Sequence, residues 1–375
     1  MHRSGRASAA ANPAPVAIVH DYLTQRGGAE RVVLAMHVAF PEAALYTSLY
    51  APDETYPAFG EVVVHSLAVN RVAAFRRNHR LALPVLAPSF SHLSVPADVV
   101  FCSSTGWAHG AKTQGRKVVY CHSPARWLYQ LTRYLGPDSS RSARTIARAL
   151  GPPLRRWDRR AATSAHRYLA NSTAVRDRIR DAYGIEAEVV PPPHAMKEGG
   201  PARAVPGLDP NFILSVGRLM PYKNVDAVVA AMRTLRGERL VVAGDGPERE
   251  RLARAAGANV TFLGTVTDDE LRWLYRNCAA VVAASFEDFG LTPLEAAAYG
   301  KPAAVLAWGG FLDTMMPGVT GQFFGRPEPS AIAGALDDVL AAQWDGRAIR
   351  AHAQGFSQAR FVERLRTIAA EEASA

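Results

Sequence analysis

Short apolar runs recur along the chain, each broken by a polar or glycine-bearing turn and then followed by a stretch of helical period. Val16 to His20 is the first run; Asp21 to Glu30, with Gly27-Gly28 inside it, follows, and a helical pattern continues to Ala39. Further strands are predicted at Leu45–Thr47, Val62–Val64, Val99–Phe101, Val118–Tyr120 and from Tyr168, and Val189 to Pro193 ends the first half. Pro191 to Pro210 holds six prolines and three glycines with few large apolar residues, which marks a linker. The plan then starts again: strand Phe212–Val216, loop Gly217–Asn224, helix Val225–Leu235, then strands Leu240–Ala243, Val260–Gly264 and Ala279–Ala284. Strands alternating with helices predict parallel sheets covered on both faces. The expected fold class is therefore α/β, with two successive βαβ domains facing a central cleft. The expected units are a flexible N-terminus 1–15, a first domain 16–192, a linker 193–210, a second domain 211–350 and a C-terminal helix 351–375. The amphipathic part of that helix, Phe361 to Ala370, suits packing on either domain.

Composition narrows the partners more than the fold. A chain of 375 residues, 48% hydrophobic and 21% charged, has room for two cores and is neither disordered nor fibrous. Its net charge of +9 favours an anionic partner: a nucleotide, nucleic acid, an anionic lipid headgroup or a diphosphate-bearing substrate. Cys102, Cys121 and Cys278 show no CxxC spacing, so neither a zinc site nor a disulfide framework is expected, and a reducing cytoplasm fits. The first residues hold no apolar core of signal-peptide length, and no run of eighteen apolar residues occurs, so export and membrane spanning are not expected. Two basic stretches stand out. Asn70 to Leu86 mixes cations with aliphatic and aromatic residues and reads either as a surface for anionic lipid or as a solvated helix face. Arg141 to Arg160 carries Arg144, Arg148, Arg155, Arg156, Arg159 and Arg160 around Trp157 without any nucleic-acid-binding signature, and is ranked as an interdomain or membrane-facing helix.

Candidate chemistry gathers at strand ends. In Ala284–Gly310, Glu287 and Glu295 lie eight positions apart with Phe289-Gly290-Leu291 between them. Thr292 reads as a helix cap, Pro293 as the first helical residue, and Glu295 either as the capping-box partner of Thr292 or as a ligand group. Strand, glycine turn, helix is an arrangement that binds phosphate. Gly217-Arg218, with Lys223 five residues on, sets two cations at another strand end, suited to a leaving diphosphate. The usual alternative, a divalent metal on an Asp-x-Asp pair, has no such motif here, and no metal is expected. In the first half, Gly27-Gly28 is a phosphate-friendly loop or merely a flexible turn, and His122 leaves a strand end into a proline-turned aromatic loop.

Taken in order, SVGRLMPYKNVD, VVAGDGPERERL, FLGTVTDDEL and SFEDFGLTPLEAAAYGKP resemble the C-terminal half of GT-B fold retaining glycosyltransferases of family four, which move sugars from nucleoside diphosphates. VHDYLTQRGGAERV, YCHSPARWLY and ANSTAVRDRI resemble bacterial mannosyltransferases of that family that build exopolysaccharide and O-antigen on lipid carriers. The resemblance spans about residues 16 to 370. It implies a fold of two Rossmann-like domains and metal-independent, retaining transfer with no cofactor. It implies that Arg218 and Lys223 hold the donor diphosphate after Gly217, and that the backbone at Phe289, Gly290 and Leu291 meets the phosphates. Glu287 would touch the donor sugar, Glu295 the ribose, and Gly264 and Val266 the base. Gly27 and Gly28 would close over the site, and His122 would sit by the transferred sugar.

The function expected is transfer of a hexose, mannose from GDP-mannose, to a polyprenyl-diphosphate-linked saccharide in surface or exopolysaccharide synthesis. The site of action would be the inner face of the plasma membrane, reached from the cytoplasm, with no nucleic-acid partner. Within the same fold the alternatives are a glucosyltransferase or a sugar-nucleotide epimerase. Outside it stands a non-catalytic anion or nucleic-acid binding protein.

Overall fold

The computed structural model describes residues 16–130, 141–194 and 199–375, over 141–149 the backbone alone. The expected N-terminus 1–15, Arg144 and Arg148 and part of the linker lie outside the described residues and side chains. Two parallel sheets carry the chain. Across the first, the strands run in the order Val64–Ser66, Ala44–Thr47, Val16–His20, Val99–Ser104, Arg116–Cys121, Arg167–Ala170, Glu188–Val189. Across the second, the order is Val260–Gly264, Leu240–Ala243, Ile213–Val216, Ala280–Ala283, Ala303–Leu306, Gly321–Phe324. In each sheet the chain lays its first strand in the middle, builds outward one way, and then returns to build the other way. Adjacent crossovers diverge beside that first strand, and the gap outside the strand C-termini is where such folds bind ligands.

The central strands are buried on both faces, as runs such as Val99–Phe101 and Val281–Val282 require. One edge strand sits two residues later than its valines predict. Val62 ends a 3₁₀ turn over Pro57–Glu61, its N–H bonded to the Phe59 carbonyl, so pairing begins at Leu45↔Val64. The helix from Val225 also stops early, at Ala231, where Arg233 and Thr234 turn to i−3 carbonyls.

The last two helices divide between the domains. Gly346–Gln354 packs Ile349 and Ala353 on Ala297 and Ala298 of the second domain. Gln358–Ala373 crosses back and buries Phe361, Leu365 and Ile368 with Val32, Met36 and Tyr120 of the first. Three such side chains contribute about 2 kcal/mol each. Arg116–Glu372 and Arg364–Glu188 ion pairs flank them. In the helix Arg141–Thr163, ranked from sequence as interdomain or membrane-facing, the described side chains bond within the first domain: Arg155 donates to the Leu128 carbonyl, Arg159 to that of Ala182, and Trp157 to Ser91. No helix among the described residues is long and apolar enough to cross a membrane.

Candidate functional site

The second sheet presents two loops at its crossover. Strand Ile213–Val216 ends at Gly217, whose φ of +152° is open to glycine, and a side chain there would begin 3.6 Å from the Lys223 ammonium. Pro221–Lys223 makes one 3₁₀ turn, closed by Asn224 in the left-handed region. The Asn224 amide donates to the Ala284 carbonyl at 2.7 Å and so ties this loop to the one after Ala280–Ala283. Lys223 and Glu287 then form an ion pair. Burial pulls the Lys223 ammonium down, but Glu287 and Tyr222 outweigh it and leave it above its ordinary value. Burial likewise raises Glu287, and Lys223 with Ser285 and Arg126 brings it below the usual carboxylate range, so both groups are ionised. Arg218 is exposed and, among the described residues, pairs with no carboxylate.

The helix that follows begins differently from its sequence signature. It runs Leu291–Ala298, its cap is Gly290 at φ +88°, and Thr292 and Pro293 lie inside the first turn. A side chain at Gly290 would begin 2.4 Å from the Phe311 ring, so glycine alone lets the chain pass here. The Thr292–Glu295 capping box does not form. Glu295, 7% exposed, accepts from the Tyr275 hydroxyl at 2.7 Å and faces Arg31 at 3.8 Å. Burial pushes its carboxyl up against the pull of Arg31 and Tyr275.

Facing these loops is the crossover of the first sheet. Gly27 caps the helix Gly28–Ala39, and Gly28 lies where an added methyl would touch Leu291 at 3.6 Å. His122 follows strand Arg116–Cys121, its N–H bonded to the Ser104 carbonyl at 2.9 Å and its Nε2 2.8 Å from the Ser103 hydroxyl. Burial, with His20 nearby, holds its imidazole down at about 3, so it is neutral at physiological pH. His79 and Arg80, from the basic segment, join the same rim; His79 stacks on Tyr22, and burial with Arg80 and Arg218 lowers its pKa to about 4.

Between the two edges is a cavity of about 510 Å³. The structure brings together on its walls Gly27, Gly28, His122, Gly217, Arg218 and Lys223 with Glu287, Phe289, Gly290, Leu291 and Glu295. Gly264 and Val266 do not line it. Gly264 ends the outer edge strand of its sheet and accepts the Gly244 N–H, and Val266, two residues beyond, packs on the core.

Several residues of this site carry no signal in the sequence. Asp288, next to Glu287, is 7% exposed and paired with Arg126 and Arg178, both from the first domain. Burial raises Asp288, and these two guanidinium groups bring it below the usual range. Ser172 donates to the Asp288 carbonyl, and Thr173 donates its N–H and hydroxyl to Asp313 at 2.6 Å each. Arg31 reaches across as well, 4.0 Å from Asp268 and 3.8 Å from Glu295. These partners lie 110 to 162 residues apart for Asp288 alone, and no spacing rule connects them.

Residues 26–195 match the family model described as Glycosyltransferase Family 4, and residues 201–355 the one described as Glycosyl transferases group 1. A D-inositol 3-phosphate glycosyltransferase of Mycolicibacterium gilvum is 37% identical over 182 residues, which is 44% of this chain and 41% of that protein. Its counterpart in Mycobacterium avium is 38% identical over 175 residues, 42% and 41% of the two chains. The matched stretch thus spans about two fifths of these curated relatives, 41% in each. Among solved structures, sucrose-phosphate synthase from Thermosynechococcus elongatus aligns with a TM-score of 0.70 at 18% identity, covering 95% of this chain and 98% of its own. HepE from Anabaena, in complex with UDP and glucose, aligns with a TM-score of 0.68 at 17% identity, covering 95% and 100%. At such identities the likeness is one of fold.

Proposed function

We propose that this chain, which belongs to the GT-B glycosyltransferases of family 4 and group 1, transfers a hexosyl group from a nucleoside diphosphate sugar bound in its central cleft. The observation that carries the reading is the placement of Arg218, Lys223 and the Gly290 helix start on one wall of the cavity, opposite Gly27-Gly28 and His122. When the bond from the sugar C1 to the diphosphate breaks, negative charge grows on the leaving phosphoryl oxygen. Two cations and the N–H groups of a helix start are the groups to meet it. The acceptor oxygen bonds to C1, and its proton passes to the leaving phosphoryl oxygen.

Retention without an enzyme nucleophile agrees with the carboxylates present. The three that line the cavity, Glu287, Asp288 and Glu295, each face a cation, so none is unpaired. Glu287 is set to bind sugar hydroxyls beside Lys223, and Glu295 the ribose. A divalent metal is not part of this proposal, and EDTA is expected to leave turnover unchanged.

The donor we propose is GDP-mannose, on the resemblance of the first half to mannosyltransferases. A UDP-hexose is the second reading, favoured by the UDP bound to HepE. The acceptor we propose is a lipid-linked saccharide. Its support is the rim beside the cavity, where the Arg80 guanidinium adjoins the exposed Leu81 and Val85, a cationic and apolar combination suited to a diphosphate lipid at the inner membrane surface. A donor panel with membrane extract as acceptor tests all of this, following released nucleoside diphosphate and sugar incorporated into lipid. GDP release with mannose in the lipid fraction supports the proposal; UDP release shifts it to the second reading. Donor turnover without any acceptor points to an epimerase or hydrolase, and tight binding of duplex DNA or RNA with no turnover refutes the enzyme reading.

A further inference from the structure

Behind His122 runs a chain of buried polar groups that the transfer step itself does not use. Ser103 is wholly buried at the end of strand Val99–Ser104, and its hydroxyl lies 2.8 Å from Nε2 of His122 and 3.0 Å from Nδ1 of His20. Nδ1 of His20 is also 3.1 Å from the Ser103 carbonyl oxygen. A carbonyl oxygen only accepts, so Nδ1 of His20 carries a proton, shared between that carbonyl and the hydroxyl oxygen. The Ser103 hydroxyl is therefore an acceptor toward His20, and its own proton needs a different acceptor. Among the described residues the one within reach is Nε2 of His122. Nε2 then holds a lone pair, and the proton of the neutral ring is on Nδ1, the nitrogen left for the cavity that His122 lines.

We infer that Ser103 and His20 are positioning residues that fix His122 as the Nδ1–H tautomer, so that His122 presents a hydrogen-bond donor and recognises an oxygen acceptor in the cavity. Under the proposed function, on which only this last identification rests, that acceptor is a hydroxyl or phosphoryl oxygen of the nucleotide sugar. The hydrogen-bonded chain ends at His20. Nε2 of His20 and Oε2 of Glu30 are both buried without a hydrogen-bond partner among the described residues. Burial pushes the Glu30 carboxyl up, and His20 is the first group opposing it. Oε2 of Glu30 also sits 2.5 Å from where a side chain on Gly27 would begin, beneath the Gly27-Gly28 loop.

The test is the tautomer itself. In chain labelled with ¹⁵N-histidine, multiple-bond ¹H–¹⁵N correlations, with His122 assigned by its disappearance in His122→Asn, are expected to show the proton on Nδ1 without any substrate present. Ser103→Ala is expected to move it toward Nε2 and to lower kcat about tenfold, the cost of one lost hydrogen bond. Ser103→Thr, which keeps the hydroxyl, is expected to retain both the Nδ1 proton and turnover. An Nε2 proton in the unsubstituted chain, or an unchanged tautomer in Ser103→Ala, would overturn the inference. Should Ser103→Ala not fold, the spectrum of the unsubstituted chain still decides. Because the readout needs no substrate, a protein that turned over no nucleotide sugar would lose the proposed function but not this tautomer, and the converse also holds.

Discussion

The two sheets share a strand order through six strands but use their crossovers in opposite ways. At the first, the buried carboxylate is structural: Asp21 accepts from the N–H groups of Thr105 and Ala108 at 2.6 Å each, which folds the loop after strand Val99–Ser104. At the second, the glycine turns at Gly217 and Gly290 leave Arg218, Lys223 and a helix start facing the cavity. The first domain then sends cations across, Arg31, Arg126 and Arg178, to acids of the second, Glu295 and Asp288. One topology therefore yields the proposed phosphate-binding edge in one half and a clamping edge in the other, and the residues of the loops and of the helices that follow them make the difference.

The strongest way to break this contrast is at the phosphate-binding edge. Lys223→Ala removes the proposed leaving-group cation and leaves the half-buried Glu287 without its ion-pair partner, and kcat/KM is expected to fall about a thousandfold. Steady-state transfer assays with the preferred donor check this, and full activity would remove Lys223 from the site. At the clamping edge, Asp288→Ala is expected to cost about 2–3 kcal/mol of interdomain stability, since Arg126 remains partly solvated. Small-angle scattering should show a larger radius of gyration, with KM for the donor raised. The pH dependence has a definite sign. Because the folded-state pKa of Asp288 is lowered, its contribution is present through the ordinary carboxylate range and above. It is lost as pH falls through the lowered value, and Asp288→Ala abolishes that acid transition.

Two glycines sharpen the comparison further. Gly290→Ala forces a side chain into φ +88° against the Phe311 ring and is expected to cost about 2 kcal/mol, a fall in Tm of about 5 °C. Gly28→Ala meets only Leu291 at ordinary contact distance, and its Tm is expected to stay within about 1 °C. Differential scanning calorimetry separates the two, and equal losses would remove the special role of Gly290. The smallest effect concerns Glu295. Burial raises its folded-state pKa, so its ionisation weakens the fold as pH rises from the unfolded to the folded value. Glu295→Gln is therefore expected to keep or slightly raise Tm at neutral pH while weakening nucleoside diphosphate binding about tenfold.

Local signals made the fold and half of the site legible. Apolar runs ending in glycine turns marked the strands from Val16, Ile213, Leu240 and Ala280, because buried parallel strands must be continuous apolar segments. Arg218, Lys223, Glu287 and Glu295 stand out because polar groups follow the predicted strands at short spacing, and all four lie on the cavity wall. The cap differs, since Thr292 and Pro293 imitate a helix start that Gly290 makes two residues earlier through a left-handed backbone. The clamp was invisible for a different reason. Arg126 and Arg178 come from the first domain and meet Asp288 of the second, and a pair set by tertiary geometry leaves no pattern along the chain. His20 and Ser103 read as ordinary strand residues, though their side chains orient His122.

The central claim is that the second half holds the diphosphate of a nucleotide sugar, and calorimetric titration of GDP and UDP into the unsubstituted chain and into Arg218→Ala tests it most directly. One of the two nucleotides is expected to bind, with affinity at least tenfold weaker in Arg218→Ala and unchanged in a control at the exposed Lys112, outside the cavity. Binding of neither nucleotide, or equal affinity in Arg218→Ala, would contradict the account.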